Sequence, residues 1–360
     1  MAGDCEVWRG EVKTRRFLAY PLVLLLLVFL LDKIFLLPVV KTFVKSDFTF
    51  IYYESREELF DALVKEQQAG QNKKDIMLIL GSSRLLYFDA EDLADYYPEW
   101  NIYNFSSAVT TPAYYLYYLE KILDKGIRPK MVLLETAPNQ FNASSSVFRE
   151  SNLTYSFDLP FLLKYASLFG KDYLSFYMGN LLFAVGKNKP NLSNVYKRIT
   201  HPDKKAILDM EKKLRKYLVD NKGNALSPVE DYVEKDAAIL GATSRRTVDW
   251  LYSSYRHSEM QEGFYHLLLE RLEKEKIPVI VVHPYGAYQM QAMEDGLPVI
   301  EDWKKRVYEI TESYGFQVHD LREKREDFFC NSFVDGGHMS KDCYHPFMRY
   351  VMAEHYKMNN

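Results

Sequence analysis

Cysteine is scarce in this chain. Three cysteines in 360 residues are too few for a disulfide scaffold and are not spaced like a zinc site. Nowhere do His, Cys, Asp and Glu form a metal-ligand pattern, so neither a metal nor another cofactor is expected. A basic block interleaved with aromatics is also missing, and the formal net charge is only -3, which argues against a nucleic-acid partner. The chain carries no internal repeat and no low-complexity tract. The one long apolar run lacks a small-x-small site after it, which favours an uncleaved anchor over a removed signal peptide.

Aromatics are abundant, with 28 Tyr and 22 Phe, enough for a large core and for a groove or membrane-facing surface besides. Phe17 to Leu31 is almost wholly apolar, and after Asp32-Lys33 the apolar character resumes from Ile34 to Val40. Together these are long enough to span a bilayer, with the Asp-Lys pair near one interface, able to snorkel or pair. Arg9, Lys13, Arg15 and Arg16 precede the run, so the positive-inside tendency puts the N-terminus in the cytoplasm and the bulk of the chain outside it. Cys330 and Cys343 lie close in sequence and can pair if that compartment is oxidising.

Downstream, Ser55-Arg-Glu-Glu58 reads as a capping box opening a helix towards Gln68. Ile76 to Leu80 is a strand, a helix is expected after Ser83, and Trp100 to Phe105 is a second strand. Pro112 to Leu123 is helical and Met131 to Glu135 is a third strand. Strand and helix alternating at this spacing predict parallel βαβ units. The alternation stops between about Asn142 and Thr247, which reads as a helical cap whose apolar part has the membrane surface as its other destination. It resumes with a helix over Gly263 to Glu275, the strand Ile277 to His283, a helix near Ile300 to Tyr314 and the strand Phe316 to Asp320. The expected divisions are a cytoplasmic N-terminus (1-16), an anchor (17-40), the first part of an α/β domain (41-142), a helical insertion (143-247) and the second part of that domain (248-360).

Two stretches carry chemistry. Gly81-Ser82-Ser83-Arg84 follows the first strand and offers a hydroxyl at its carboxyl end, where open α/β sheets bind ligands; its bland reading is a turn and helix cap. A hydroxyl nucleophile needs a base, and the base an orienting acceptor. Asp335-Gly-Gly-His338 supplies both, and Asp342 with His345 repeats the spacing as an alternative pair. His283 reads as a satisfied strand-end histidine, Glu135 and Asp320 as members of packing networks, and Arg84 as a structural cation with anion holding as its lesser reading.

Gly81-Ser82-Ser83, then Val132 to Gln140, then Asp335-Gly-Gly-His338-Met-Ser340 resemble, in that order, the blocks of the SGNH (GDSL-like) hydrolase superfamily. The resemblance covers about residues 75 to 142 and 263 to 350. It implies a flavodoxin-like parallel sheet flanked by helices, with Ser83 as nucleophile, His338 as base, Asp335 as its orienter and Asn139 in an oxyanion hole. Ser82 stands where the family often has Asp. The glycine expected near Asn104 to Val109 is missing, leaving the backbone of Ala108 or Val109 as second oxyanion donor, and Ala137-Pro138 replaces the glycines before the asparagine. Anchored relatives, DltD-like or alginate-acetylation-like, imply an acyl ester or envelope glycan as substrate and a membrane-embedded acyl-donor protein as partner. The function so implied is a membrane-anchored serine acyl esterase or O-acyltransferase. The alternatives are an inactive binding or assembly module of the same fold and a lipase or phospholipase.

Overall fold

A computed structural model of the chain describes residues 19–45, 50–70, 73–225, 233–323 and 326–358. Cys5 and the basic residues Arg9, Lys13, Arg15 and Arg16 lie outside them. Two compact units make up the chain: Met1–Phe48 with Leu174–Lys212, and Thr49–Tyr173 with Lys213–Asn360.

In the first unit, Ala19–Leu36 is one helix, apolar and long enough to cross a membrane and almost entirely unburied by protein. The expected anchor extended to residue 40, but Leu37 is extended and Pro38 opens a separate helix, Pro38–Val44. Proline favours this break because it cannot donate to the preceding turn and suits a first helical position. Leu192–Thr200 is a short helix of the same unit.

The second unit is α/β. Its helices include α1 (Phe50–Gln68), α2 (Ala90–Tyr96), α3 (Pro112–Asp124), α4 (Ala237–Tyr252), α5 (Glu259–Lys274), α6 (Pro298–Ser313) and α7 (Lys341–Met358). Its strands are β1 (Asp75–Leu80), β2 (Trp100–Asn104), β3 (Met131–Glu135), β4 (Val279–His283) and β5 (Val318–Asp320), forming one sheet in the order β2-β1-β3-β4-β5. Every neighbouring pair is parallel, with Met77 opposite Met131 and Leu134 opposite Val281 among the registers. Between residues 143 and 247, no strand occurs among the described residues.

Strand residues point alternately to the two faces. Met77, Ile79, Met131, Leu133, Ile280 and Val282 form one face and pack in a common core with Phe347, Met348 and Val351 of α7. The opposite parity, including Leu78, Val132 and Val281, is equally buried. Tyr114, Tyr115, Tyr117 and Tyr118 of α3 are all buried, which accounts for part of the tyrosine excess.

Two local expectations are corrected. Ser55 lies inside α1 rather than at its start, because Phe50, Ile51 and Tyr53 extend the buried stripe upstream. No long helix follows Ser83: the chain makes a single 3₁₀ turn, Ser83–Leu85, and restarts at α2, whose first amides are capped by Asp89. Leu85, Leu86 and Phe88 are buried in between, so core packing rather than helix propensity shapes this stretch.

The chain passes from β1 outward to β2, then returns across β1 to β3. That reversal puts the topological switch point at the carboxyl ends of β1 and β3, where the sheet leaves a crevice. Ser83 follows the first of these ends and Glu135 closes the second.

Candidate functional site

The turn after β1 is held from two sides. Gly81 carbonyl accepts the Ser107 N–H at 3.2 Å and the Thr110 hydroxyl at 3.0 Å. Ser82 donates its backbone N–H to Glu135 Oε2 at 2.6 Å and its hydroxyl to Glu135 Oε1 at 2.7 Å. A Cβ at Gly81 would lie 2.8 Å from Leu85 and 2.9 Å from Glu135 Oε2, so this position demands glycine because the carboxylate lies against the backbone. Gln140 adds a third bond to Glu135 at 3.3 Å and reaches Tyr115 at 2.9 Å. With the turn fixed in this way, the Ser83 hydroxyl meets the tail of the chain.

Ser83 Oγ lies 2.8 Å from His338 Nε2. His338 Nδ1 lies 3.0 Å from each oxygen of Asp335. An ionised carboxylate can only accept, so Nδ1 carries a proton; in the neutral ring Nε2 is then the lone-pair acceptor to which the Ser83 hydroxyl donates. The side chains of His338 and Asp335 are 32% and 38% exposed, open enough to meet a substrate.

Local sequence explains how four consecutive loop residues, Asp335 to His338, achieve this. Asp335 Oδ1 accepts the backbone N–H of Gly337 at 2.7 Å and of His338 at 3.0 Å, a turn that sets the carboxylate beneath its own imidazole. Val334 N–H bonds His338 carbonyl at 3.0 Å, and Phe333 pairs with Met339, closing the loop. Gly336 donates to Thr243 of α4 at 3.1 Å, and a Cβ there would come within 2.6 Å of Ser244 backbone. Cys330 and Cys343 are joined by a disulfide with Cα atoms 5.5 Å apart, so the loop's two flanks are covalently linked.

Electrostatics separate the two carboxylates. Burial opposes ionisation of Asp335, but the His338 hydrogen bond and charge, with the Gly337 and His338 amides, outweigh it and hold the pKa at about 2. Glu135 is fully enclosed, and burial pushes its pKa up; Arg84, the two Ser82 bonds and His338 pull down without cancelling that. Asp335 is thus suited to balancing an imidazolium, whereas Glu135 is an internal fastener.

Asn139 lies in the 3₁₀ turn Pro138–Phe141 directly after β3, on the same sheet edge as Ser83. Its side chain is half-buried and takes no part in the bonds that tie down Gln140. Of the two backbone donors considered near Val109, Val109 itself is occupied: its N–H bonds Tyr53 Oη at 2.9 Å. Ala108 remains. Asp342 is exposed in the first turn of α7, and His345 stacks on Tyr96 with ring centroids 4.0 Å apart. Among the described residues neither bonds Ser83.

His283 ends β4 fully buried, bonded to Tyr308 at 3.1 Å and 3.5 Å from Asp320, and burial lowers its pKa. Asp320 also takes Lys304 at 2.9 Å and Arg322 at 3.3 Å, a closed ionic network. Buried Arg84 donates to Pro284 carbonyl at 3.4 Å, and its own carbonyl accepts the Tyr344 hydroxyl at 2.9 Å. Among the described residues no three His, Cys, Asp or Glu side chains are grouped to hold a metal.

Sequence reasoning assigned Glu135 only to packing and missed its hold on Ser82. The available signal was a carboxylate ending an otherwise wholly apolar strand, an expensive placement unless several donors converge on it.

In chemical terms, a hydroxyl bonded to an imidazole that is oriented by an ionised carboxylate meets the requirements for base-assisted nucleophilic attack. No curated protein matches the sequence. A family model described as a protein of unknown function (DUF1574) matches residues 12–355, nearly the whole chain, and this protein belongs to that family.

Proposed function

We propose that the protein is a membrane-anchored, extracytoplasmic SGNH-type serine acyl esterase or O-acyltransferase that acts on cell-envelope glycans. The observation that carries this reading is the 2.8 Å contact between Ser83 Oγ and His338 Nε2, with Asp335 on the far side of the ring. Three further features support it. The order β2-β1-β3-β4-β5 is the flavodoxin-like arrangement, with the serine at the β1/β3 switch point. The Cys330–Cys343 disulfide suits an oxidising compartment. The apolar helix Ala19–Leu36 suits a single N-terminal anchor.

In this mechanism Ser83 Oγ attacks the ester carbonyl carbon while its proton passes to His338 Nε2. Asp335 stabilises the resulting imidazolium and keeps it oriented. The oxyanion is bound by the Asn139 carboxamide and by the backbone N–H of Ala108. Collapse expels the alcohol, which takes the proton from His338, and leaves an acyl group on Ser83. Water or a glycan hydroxyl then attacks that acyl group, with His338 again accepting the proton, and collapse breaks the bond to Ser83 Oγ, which takes the proton back from His338. The membrane anchor favours a glycan acceptor and a membrane-embedded acyl-donor protein.

A second reading, an inactive binding or assembly module, draws on two observations: Pro138 has no N–H to offer, and the Val109 N–H is consumed by Tyr53. Turnover separates the two. Purified full-length protein in detergent is expected to release 4-nitrophenol from the acetyl ester and to lose at least about 1,000-fold in kcat in both Ser83→Ala and His338→Ala, the scale of loss for members of such a unit. Equal slow release by wild type and both variants, all folded by circular dichroism, would leave the binding module.

A further inference from the structure

The first unit carries an apolar surface that the catalytic reading does not use. Leu181, Leu182 and Phe183 are about half exposed. In the helix Leu192–Thr200, Leu192, Tyr196 and Ile199 are 82%, 70% and 52% exposed. Their spacing of four and three residues sets them on one helix face. Isolated apolar side chains on a surface need no explanation, but a contiguous set marks an interaction site.

The location of this set identifies what covers it. Asp32, in the last turns of the apolar helix Ala19–Leu36, accepts the backbone N–H groups of Ala184 at 2.6 Å and Val185 at 2.8 Å. Lys33 donates to the Leu182 carbonyl, and Asn188 donates to the Phe35 carbonyl at 2.9 Å. Phe183 packs edge-on against Phe29, with centroids 6.5 Å apart. The second helix is fastened just beyond: Asn191 N–H bonds Val44 carbonyl at 3.1 Å, and Arg198 bonds Thr42 carbonyl at 2.9 Å. The segments that carry these exposed apolar residues are therefore fastened to the carboxyl end of the membrane-spanning helix and to the short helix that follows it, which sets them near the level where hydrocarbon gives way to headgroups. The charge pattern agrees. Over 174–205 the cations Lys187, Lys189, Lys197, Arg198, Lys204 and Lys205 oppose the single acid Asp203.

We propose that residues 181–199 form an interfacial platform lying in the bilayer surface, with Leu192, Tyr196 and Ile199 at the boundary of headgroups and acyl chains. An apolar helix face with flanking cations is the composition that binds anionic lipid surfaces, and tyrosine suits this depth because its ring is amphipathic. The proposal rests on Ala19–Leu36 spanning the membrane. Asp32, an acid that is costly at the end of a membrane helix, is compensated there by the Ala184 and Val185 amides of the platform.

Nitroxide-lipid quenching tests it on the full-length chain carrying Cys5→Ser, whose remaining cysteines are disulfide-bonded. Tyr196→Cys and, separately, Leu25→Cys are labelled with an environment-sensitive dye and reconstituted into phosphatidylcholine vesicles containing phosphatidylglycerol. The Tyr196 label is expected to shift to the blue and to be quenched more by nitroxide near the headgroup than deep in the chain, with the reverse order for Leu25. Quenching at Leu25 but none at Tyr196 overturns the platform and leaves the anchor. A blue shift at Tyr196 without lipid quenching also overturns it, pointing to a second copy or another protein. Absence of quenching at Leu25 overturns the anchor itself and the platform with it.

Discussion

Replacing Glu135 tests whether the candidate nucleophile is held by the strand beside it. Its carboxylate accepts the Ser82 N–H and O–H at 2.6 and 2.7 Å and one Gln140 amide hydrogen at 3.3 Å, all out of contact with water. In Glu135→Ala the Ser82 amide has no other acceptor among the described residues, while Gln140 keeps its bond to Tyr115. Each buried donor left unpaired costs about 1–3 kcal/mol, and removing an enclosed carboxylate returns part of this, so a net loss of about 2–4 kcal/mol is expected. Glu135→Gln keeps the shape but can accept at only one oxygen, with a loss of about 1–2 kcal/mol.

The pH dependence gives a second, independent reading. Burial raises the Glu135 pKa above its ordinary 4.5, so just above that pH the folded state keeps a proton that the unfolded state has released. Wild-type stability relative to Glu135→Gln therefore falls as pH rises through that window. Urea unfolding of the three proteins, followed by tryptophan fluorescence between pH 4 and 8, measures both effects. An Ala variant within about 0.5 kcal/mol of wild type, the range of an ordinary surface substitution, would refute the fastening role. A wild-type advantage over the Gln variant that grows with pH would instead contradict the raised Glu135 pKa.

Asp335→Asn is expected to lower ester turnover about 100- to 10,000-fold by favouring the wrong imidazole tautomer. Because its pKa is held at about 2, below the ordinary 3.8, the stability it contributes is present above that ordinary value and is lost as pH falls towards 2. With 38% of the side chain exposed, screening reduces that contribution to about 1 kcal/mol, measurable by acid titration of the unfolding midpoint. Gly336→Ala puts a methyl 2.4 Å from Ser244 Oγ, and the overpacking should cost about 1–3 kcal/mol and displace Asp335; thermal unfolding and turnover read the two effects. Opening the Cys330–Cys343 disulfide in the paired Cys330→Ser, Cys343→Ser variant frees a 13-residue separation and should cost about 3 kcal/mol in urea unfolding.

The strands were legible because each is a short apolar run bounded by turn residues, as in Ile76 to Leu80 and Met131 to Glu135. Motif order brought Ser83, Asp335 and His338 into view together, since each closes or follows a recognisable element. What depends on distant partners was hidden. Asp32 reads as an interfacial charge until Ala184 and Val185, some 150 residues on, supply their amides. Ser55 matches a helix start, yet Phe50 and Ile51 bury against the core and carry α1 further upstream. The stretch after Ser83 has helical composition, but burying Leu85, Leu86 and Phe88 leaves room for one turn only. Val109 offered a donor by position, and only the fold reveals that Tyr53 takes it.

The central claim is that Ser83 is an activated nucleophile, and covalent labelling by a fluorophosphonate reads this directly, without knowledge of the substrate. Folded full-length protein should take up one probe, mapped to Ser83 by peptide mass spectrometry, with uptake abolished in Ser83→Ala and strongly slowed in His338→Ala. Folded wild-type protein that takes up no probe, or a probe that maps elsewhere and persists in Ser83→Ala, would contradict it.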